Sequence, residues 1–248
     1  MVFNDHFSSL AKSYAEFRPS YPDALFKWLT EITPSQNEAW DCACGSGQAS
    51  ERLAQYFDHV TATDASAAQI AQAEPNPKIT YYEALAENSG LPDHAVDLVT
   101  VAQAAHWFRH DDFYKEAKRV LKKEGVIALW TYNLLSTKDQ PLMRQLATFF
   151  QLITPYWPLE REPVTTSYKT LPFPFEQEIT APAFSMNIQW STHQLLGYFN
   201  SWSSVKYFKE AKKYNPVDRL EEAVKSVWPN PEETKFFHFP ISMRVARV

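Results

Sequence analysis

Only two cysteines, Cys42 and Cys44, occur in the 248 residues of this sequence. A disulfide scaffold needs more, and a zinc site needs further ligands at suitable spacing. One residue apart on an expected strand, the two thiols point to one face, a poor geometry for a bond between them. Two buried free thiols are therefore expected, and no metal site. Basic runs are missing as well. The net charge is −5 and the pI about 5.8, so no positive stripe is available to neutralise nucleic-acid phosphates. No stretch approaches the roughly 20 apolar residues of a membrane span. The opening MVFNDHFSSLAKSY has neither the basic nor the apolar region of a secretory leader, and a cytoplasmic location is the expectation. Internal repeats and low-complexity tracts are also lacking.

What is present is an ordinary globular balance, 45% hydrophobic and 21% charged, at a length suited to one domain with a sizeable core. Aromatic residues reach 15%, more than one core normally needs. Some are candidates to line a pocket for an apolar or cationic ligand, and the remainder to pack core and lid.

The first half alternates helix-like and strand-like segments. Residues 22–33 place Leu25, Trp28, Leu29 and Ile32 at helical spacing after Pro22. Strands are expected at 38–44, 59–64, 78–84, 96–104 and 126–132, and helices at 48–57, 66–74 and 110–122, with Gly125 ending the last helix. Residues 96–104 form a nearly continuous apolar run of the kind buried on both faces of a parallel sheet. This alternation predicts an α/β fold: a doubly wound, mostly parallel sheet with right-handed crossovers. Beyond residue 133 the texture changes. A helix at 139–154 precedes a Pro-rich stretch, 155–183, read as a helical insert or lid. A strand at 184–191, helices at 192–202 and 216–228, and a terminal strand at 236–248 complete the chain.

Chemistry concentrates at the junction of the first strand and its helix, Asp41-Cys42-Ala43-Cys44-Gly45-Ser46-Gly47. Two closely spaced glycines let backbone approach a ligand without a Cβ clash. Asp64 follows at the end of the next strand, where a carboxylate can accept both hydroxyls of a ribose. Capping the following helix is the competing role for Asp64. A nicotinamide-type fingerprint needs a third glycine, and Ser50 occupies that position.

The segment resembles the acidic-x-G-x-G-x-G fingerprint of class I methyltransferases, with Asp41 first and Ala43 in place of the first glycine. Ala86-Glu87, Gly90-Leu91-Pro92 and Val96-Asp97-Leu98-Val99 resemble the run between the third and fourth strands of the same enzymes. His106-Trp107-Phe108, the N-terminal Tyr14 to Pro22 segment and Leu196 to Ser203 resemble the trans-aconitate methyltransferase-like subgroup. The resemblance implies a Rossmann-like sheet of seven strands with an antiparallel C-terminal strand, and S-adenosylmethionine as cofactor. It divides a single domain into a cofactor-covering segment (1–34), a cofactor-binding core (35–132), a substrate-side insert with helices (133–235) and a terminal strand (236–248).

It further implies that Gly45 and Gly47 approach the amino-acid portion of the cofactor, that Asp64 with Ala65 holds the ribose, and that Ala86 meets the adenine. Ala43 and Gln103 join this cofactor set. Tyr14 and Tyr21 would close over the cofactor, and Arg18 would pair with a carboxylate of cofactor or substrate, or else form a surface ion pair. His106 and Trp107 stand where the acceptor should sit. His106 reads either as a general base or hydrogen-bond donor, or as a structural histidine. Trp107 reads either as a cation–π partner of the sulfonium or substrate, or as core packing.

The expected activity is methyl transfer to a small molecule, with a carboxylate acceptor suggested by the trans-aconitate resemblance. A nicotinamide-dependent oxidoreductase is the alternative, weakened by Ser50 and by the lack of any Y-x-x-x-K or zinc pattern. A non-catalytic S-adenosylmethionine-binding protein is the third reading.

Overall fold

The computed structural model describes residues 19–248. Helix α1 (Asp23–Ile32) follows Pro22 and buries Leu25, Phe26 and Leu29. The chain then alternates β1 (Glu38–Cys42), α2 (Gln48–Leu53), β2 (His59–Asp64), α3 (Ala67–Ile70), β3 (Ile79–Glu83), β4 (Val96–Ala102), α4 (His110–Val120) and β5 (Leu121–Tyr132). Next come α5 (Gln140–Ile153), α6 (Glu162–Thr165), β6 (Gln177–Glu178), β7 (Phe184–Trp190), α7 (Thr192–Asn200), α8 (Ser203–Lys212), α9 (Pro216–Val227) and β8 (Lys235–Arg247).

The strands form one sheet in the order β3-β2-β1-β4-β5-β8, with β7 and the two-residue β6 both on the outer edge of β8. Strands β1 to β5 are parallel, and β8 runs antiparallel to β5, as expected. Counting β6, the strands number eight rather than seven. The chain moves outward from β1 to β3, then returns to the other side of β1 as β4. The loops leaving β1 and β4 therefore diverge and open a crevice at the carboxyl ends of the strands.

Both faces of the sheet are covered, and successive residues alternate between them. Ala39, Val60, Ala62, Leu98, Ala128 and Trp130 face a core closed by α1, α2 and the C-terminal helices. Trp40, Val99, Val101, Ile127 and Leu129 face a second core closed by α4 and by Val164, Tyr168, Leu171 and Phe175 of the insert. This division corrects the expectation for the cysteines. β1 stops at Cys42, Ala43 takes a positive φ of 55°, and Cys44 turns to the opposite core from Cys42. Both are buried free thiols.

Gly125 does not end the preceding helix; it lies inside β5, which begins at Leu121. Glu124 takes φ 65° and the register against β4 shifts between Val96 and Leu98, so this stretch is an irregular strand end rather than a loop. A Cβ on Gly125 would come within 2.8 Å of the Lys122 carbonyl. The helix expected at 66–74 closes after one turn, because Pro75 and Pro77 follow. The sequence reading does not separate helix α8: α7 stops at Asn200, and the chain restarts at Ser203 after an extended Trp202. No helix among the described residues is long and apolar enough to cross a membrane.

Candidate active site

The crevice is a cavity of about 740 Å³. Its walls come from every loop at the carboxyl ends of β1 to β5 and, opposite them, from the insert and the α7–α8 junction. The two sets of walls differ in chemistry, which gives the cavity two ends.

At the first end, Ala43, Gly45, Asp64, Ala65 and Ser66 line the cavity. The Asp64 carboxylate accepts the Gly45 N–H at one oxygen and the Ser66 N–H at the other, both at 2.8 Å. Asp64 therefore lines the cavity and closes the turn that enters α3, whose N-cap is Ser66 rather than Asp64. Gly45 has φ 58°, and a Cβ built there would meet nothing nearer than Gln69 Oε1 at 3.8 Å. That Oε1 is buried and has no hydrogen-bond partner among the described residues, while Gln69 itself lines the cavity. Backbone open to the cavity, a carboxylate and an unpaired buried acceptor together suit a ligand rich in hydroxyl or N–H donors.

Gly47 has a different task. It caps α2 with φ 86° and does not line the cavity; a Cβ there would fall 2.4 Å from the Tyr81 hydroxyl. Its missing side chain makes room for Tyr81. Ser50, which stands at the third-glycine position, is fully buried and donates to Asp41 Oδ2 at 2.6 Å. Thr100 on β4 donates to the other Asp41 oxygen at 2.9 Å. Burial raises the Asp41 carboxyl to about 6, against the lowering effect of these two hydrogen bonds.

Ala84, Leu85, Ala86 and Glu87 form the adjoining wall. It is braced from behind by Glu116 of α4, whose buried Oε1 accepts both the N–H and the hydroxyl of Ser89. Arg119 ties the same carboxylate to Asp93 and to the Leu91 carbonyl. These hydrogen bonds hold Glu116 below the usual carboxylate range despite the opposing effect of burial.

Gln103 takes φ 58° and lines the cavity, but its side chain is engaged elsewhere. Its Oε1 accepts the Tyr132 N–H and the Thr131 hydroxyl, and its Nε2 donates to the Tyr132 carbonyl. The amide thus clamps the end of β5 to the end of β4. Tyr21 lies one layer behind, with its ring 5.5 Å from Trp130 and 6.3 Å from Tyr132; it does not line the cavity. Tyr14 and Arg18 lie outside the described residues.

At the second end stand His106 and Trp107, in a single turn of helix with ring centroids 4.9 Å apart. Opposite them the insert contributes Trp157, Arg161 and Val164, and the α7–α8 junction contributes Tyr198, Trp202 and Ser203. The Arg161 guanidinium lies 4.0 Å over the Trp157 ring, a cation–π contact. Trp157 packs in turn on Trp202 at 5.2 Å. His106 is buried, and its Nδ1 lies 3.1 Å from the Tyr168 hydroxyl. Burial above all, with the charges of Arg161 and His110, depresses the imidazolium to about 3, so the ring is neutral at pH 7.

Gln69, Arg161 and Tyr168 are the residues that sequence reasoning passed over. Gln69 lies five positions after Asp64, on the short helix that follows β2, a spacing legible in the sequence. Arg161 and Tyr168 belong to the insert, where no periodicity singles out any side chain. Among the described residues no group of three or more His, Cys, Asp or Glu is placed to hold a metal ion.

Comparison with known proteins places this geometry in context. A family model described as a methyltransferase domain matches residues 40–129. A protein of Dictyostelium discoideum named as a methyltransferase is 32% identical over 252 residues, across 99% of this chain and 95% of that protein. A Saccharomyces cerevisiae protein named as an S-adenosylmethionine-dependent methyltransferase is 29% identical over 128 residues, across 48% of this chain and 44% of its own length. Among solved structures, one described as a type II methyltransferase from Anaeromyxobacter dehalogenans superposes with a TM-score of 0.86 at 40% identity. The match covers 93% of this chain and 98% of that one.

Proposed function

The chain belongs to the class I S-adenosylmethionine-dependent methyltransferases, and on that premise we propose that it methylates a small molecule held at the second end of the cavity. The observation that carries this reading is the continuity of the cavity from Gly45 and Asp64 to His106, Trp107 and the insert. One compartment of about 740 Å³ is large enough for two ligands side by side, and its aromatic wall shields the junction between them from water.

S-adenosylmethionine supplies an electrophilic methyl group on a sulfonium. The residues at the first end fit that group: Asp64 for ribose hydroxyls, Ala65 beside it, the open backbone of Ala43 and Gly45 for the amino-acid portion, and Ala86 for the adenine. The unpaired Gln69 Oε1 adds an acceptor for a ligand hydroxyl or ammonium. Gln103 contributes its backbone turn. In this reading Gly47 and Tyr21 shape the site from behind, whereas Trp107 offers an aromatic face to a cation.

The task left to the protein is to hold two reactants in line, an arrangement that can supply up to about 7–11 kcal/mol of a barrier. An acceptor already unprotonated at neutral pH needs no base. Organic acids are therefore the first class to screen, in keeping with the resemblance to trans-aconitate methyltransferases.

Calorimetric titration with S-adenosylmethionine, S-adenosylhomocysteine and NADH tests the cofactor side. Binding of the two adenosyl ligands is expected, and binding of NADH alone would sink the reading. A screen of small acids with methyl-labelled S-adenosylmethionine then tests the acceptor; label transfer only to large polymers would remove the small-molecule assignment.

A further inference from the structure

We propose that Tyr168 fixes His106 as its Nε2–H tautomer, so that His106 meets the acceptor as a neutral hydrogen-bond donor and not as a base. The inference rests on the reading of the second end of the cavity as the acceptor site.

It begins with the groups around one oxygen. The Tyr168 hydroxyl is wholly buried and lies 3.1 Å from His106 Nδ1. The Ala105 and His106 backbone and the Thr131 side chain lie beside the same oxygen. Ala105 and His106 open the short helix Ala105–Trp107, where N–H groups lack partners within the helix. An amide can only donate, so neither backbone N–H competes for the phenol proton. The Thr131 hydroxyl has given its own proton to Gln103 Oε1. Two acceptors remain beside the phenol, Thr131 Oγ1 and His106 Nδ1; an imidazole nitrogen is the stronger, so the phenol proton goes to Nδ1 and the imidazole proton sits on Nε2.

The opposite nitrogen is the one left for a ligand. His106 lines the cavity, and among the described residues its Nε2 has no hydrogen-bond partner. A neutral Nε2–H there can donate to an oxygen of the acceptor. The depressed basicity of the ring agrees, since a group that takes up a proton only near pH 3 cannot deprotonate an alcohol or an ammonium at neutral pH. The acceptor class that follows is one whose nucleophilic atom carries no proton at neutral pH and has a hydrogen-bond-accepting oxygen beside it.

Tyr168 is itself firmly placed, as a positioning residue must be. Its N–H donates to the Pro163 carbonyl at 2.7 Å. Arg244 of β8, paired with Glu178, donates to the carbonyls of Tyr168 and Leu171. Asn133, at the end of β5, donates to the carbonyls of Val164 and Thr165 just upstream.

The test is a tautomer measurement by nitrogen-15 NMR on histidine-labelled protein, with His106 assigned through His106→Gln. A single Nε2–H pattern is expected in the wild-type protein, and its loss to a tautomer mixture in Tyr168→Phe. An Nδ1–H tautomer or an imidazolium in the wild-type protein overturns the proposal, and this measurement does not depend on the variant folding. An unchanged pattern in Tyr168→Phe overturns the role of Tyr168. Titration of both proteins with S-adenosylmethionine keeps the underlying reading separate. Equal binding with the tautomer lost only in the variant supports the proposal. A wild-type protein that fails to bind defeats the methyltransferase reading, and with it any role of His106 toward an acceptor.

Discussion

Asp64 Oδ2 accepts a 2.8 Å hydrogen bond from the backbone N–H of Gly45, which joins the two strand ends that carry the recognisable sequence fingerprint. The carboxylate both shapes the glycine loop and lines the cavity beside it. Asp64→Ala removes a charged acceptor from the Gly45 and Ser66 amides. Hydrogen bonds to charged groups contribute about 1.5–3 kcal/mol each, so S-adenosylmethionine binding should weaken roughly tenfold to a hundredfold. Calorimetric Kd values for Asp64→Ala and Asp64→Asn check this, with the asparagine variant expected between wild type and alanine.

Gly47→Ala places a Cβ at 2.4 Å from the Tyr81 hydroxyl on a residue with φ 86°. Left-handed backbone costs a non-glycine residue about 1–2 kcal/mol, and overpacking adds about 1–3 kcal/mol. The Tyr81 hydroxyl is buried without a hydrogen-bond partner among the described residues, so Tyr81→Phe alone should cost little. Combined with Gly47→Ala, it should recover part of the steric loss, since ring carbons Cε1 and Cζ would still lie 3.1 Å from the new Cβ, and none of the backbone part. Urea unfolding of the two single variants and the double variant reads the coupling directly.

Asp41 predicts a pH signature. Burial raises its carboxyl from 3.8 to about 6, so the folded state binds this proton more tightly than the unfolded chain. The stabilising contribution is present in full below about pH 4 and is lost as pH rises through about 6, an effect on the order of 3 kcal/mol at most. Asp41→Asn, which cannot ionise, should therefore gain stability relative to wild type between pH 4 and pH 7. Unfolding midpoints of the two proteins across that range decide it, and a parallel pair of curves would refute it.

Glu116 bears on the cavity wall formed by Ala84 to Glu87 without lining the cavity itself. Glu116→Ala strips the acceptor from the Ser89 N–H and hydroxyl and breaks a buried pairing with Arg119. Removing one partner of such a pair costs about 3–5 kcal/mol when fully buried, and less here because Arg119 is partly exposed. Amide exchange over residues 84–92 should accelerate, with S-adenosylmethionine affinity falling alongside. Unchanged protection at Ser89 would show that the wall is held by other means.

How much of this was legible in the sequence varies along the chain for physical reasons. Strands β1, β2 and β4 announce themselves because each is a short run buried on both faces, β3 at the sheet edge by its β-branched and aromatic residues, and Asp64 is legible at the end of β2. Element ends were less readable: nothing local to Leu121 distinguishes a helix end from a strand start, because Val96 of β4 supplies the pairing that extends β5 back to Leu121. Helix α8 buries only Val205 and Phe208 beyond its first two serines, too thin a stripe for periodicity to reveal. Tyr168 was illegible because its partner His106 lies 62 residues away and the turn that presents it has positive φ at both Ser167 and Tyr168. No short-range pattern encodes such a meeting.

Arg244 gives the insert its independence. From the rim of the sheet it holds two carbonyls and one carboxylate of the insert, so residues 159–178 are fastened without any bond to Asp64, Gly45 or the Glu116 brace. In the proposed reading, the insert's share of the acceptor wall is thus written apart from the loops that hold the donor, and meets His106 and Trp107 of the β4 loop across the cavity. Remodelling the insert between its anchors, at Trp157, Arg161 or Val164, could exchange one acceptor for another while the donor half stays as it is. A scaffold arranged in this way offers new substrates at the expense of a few side chains, and the same arrangement would let an engineer graft a different wall onto an intact donor site.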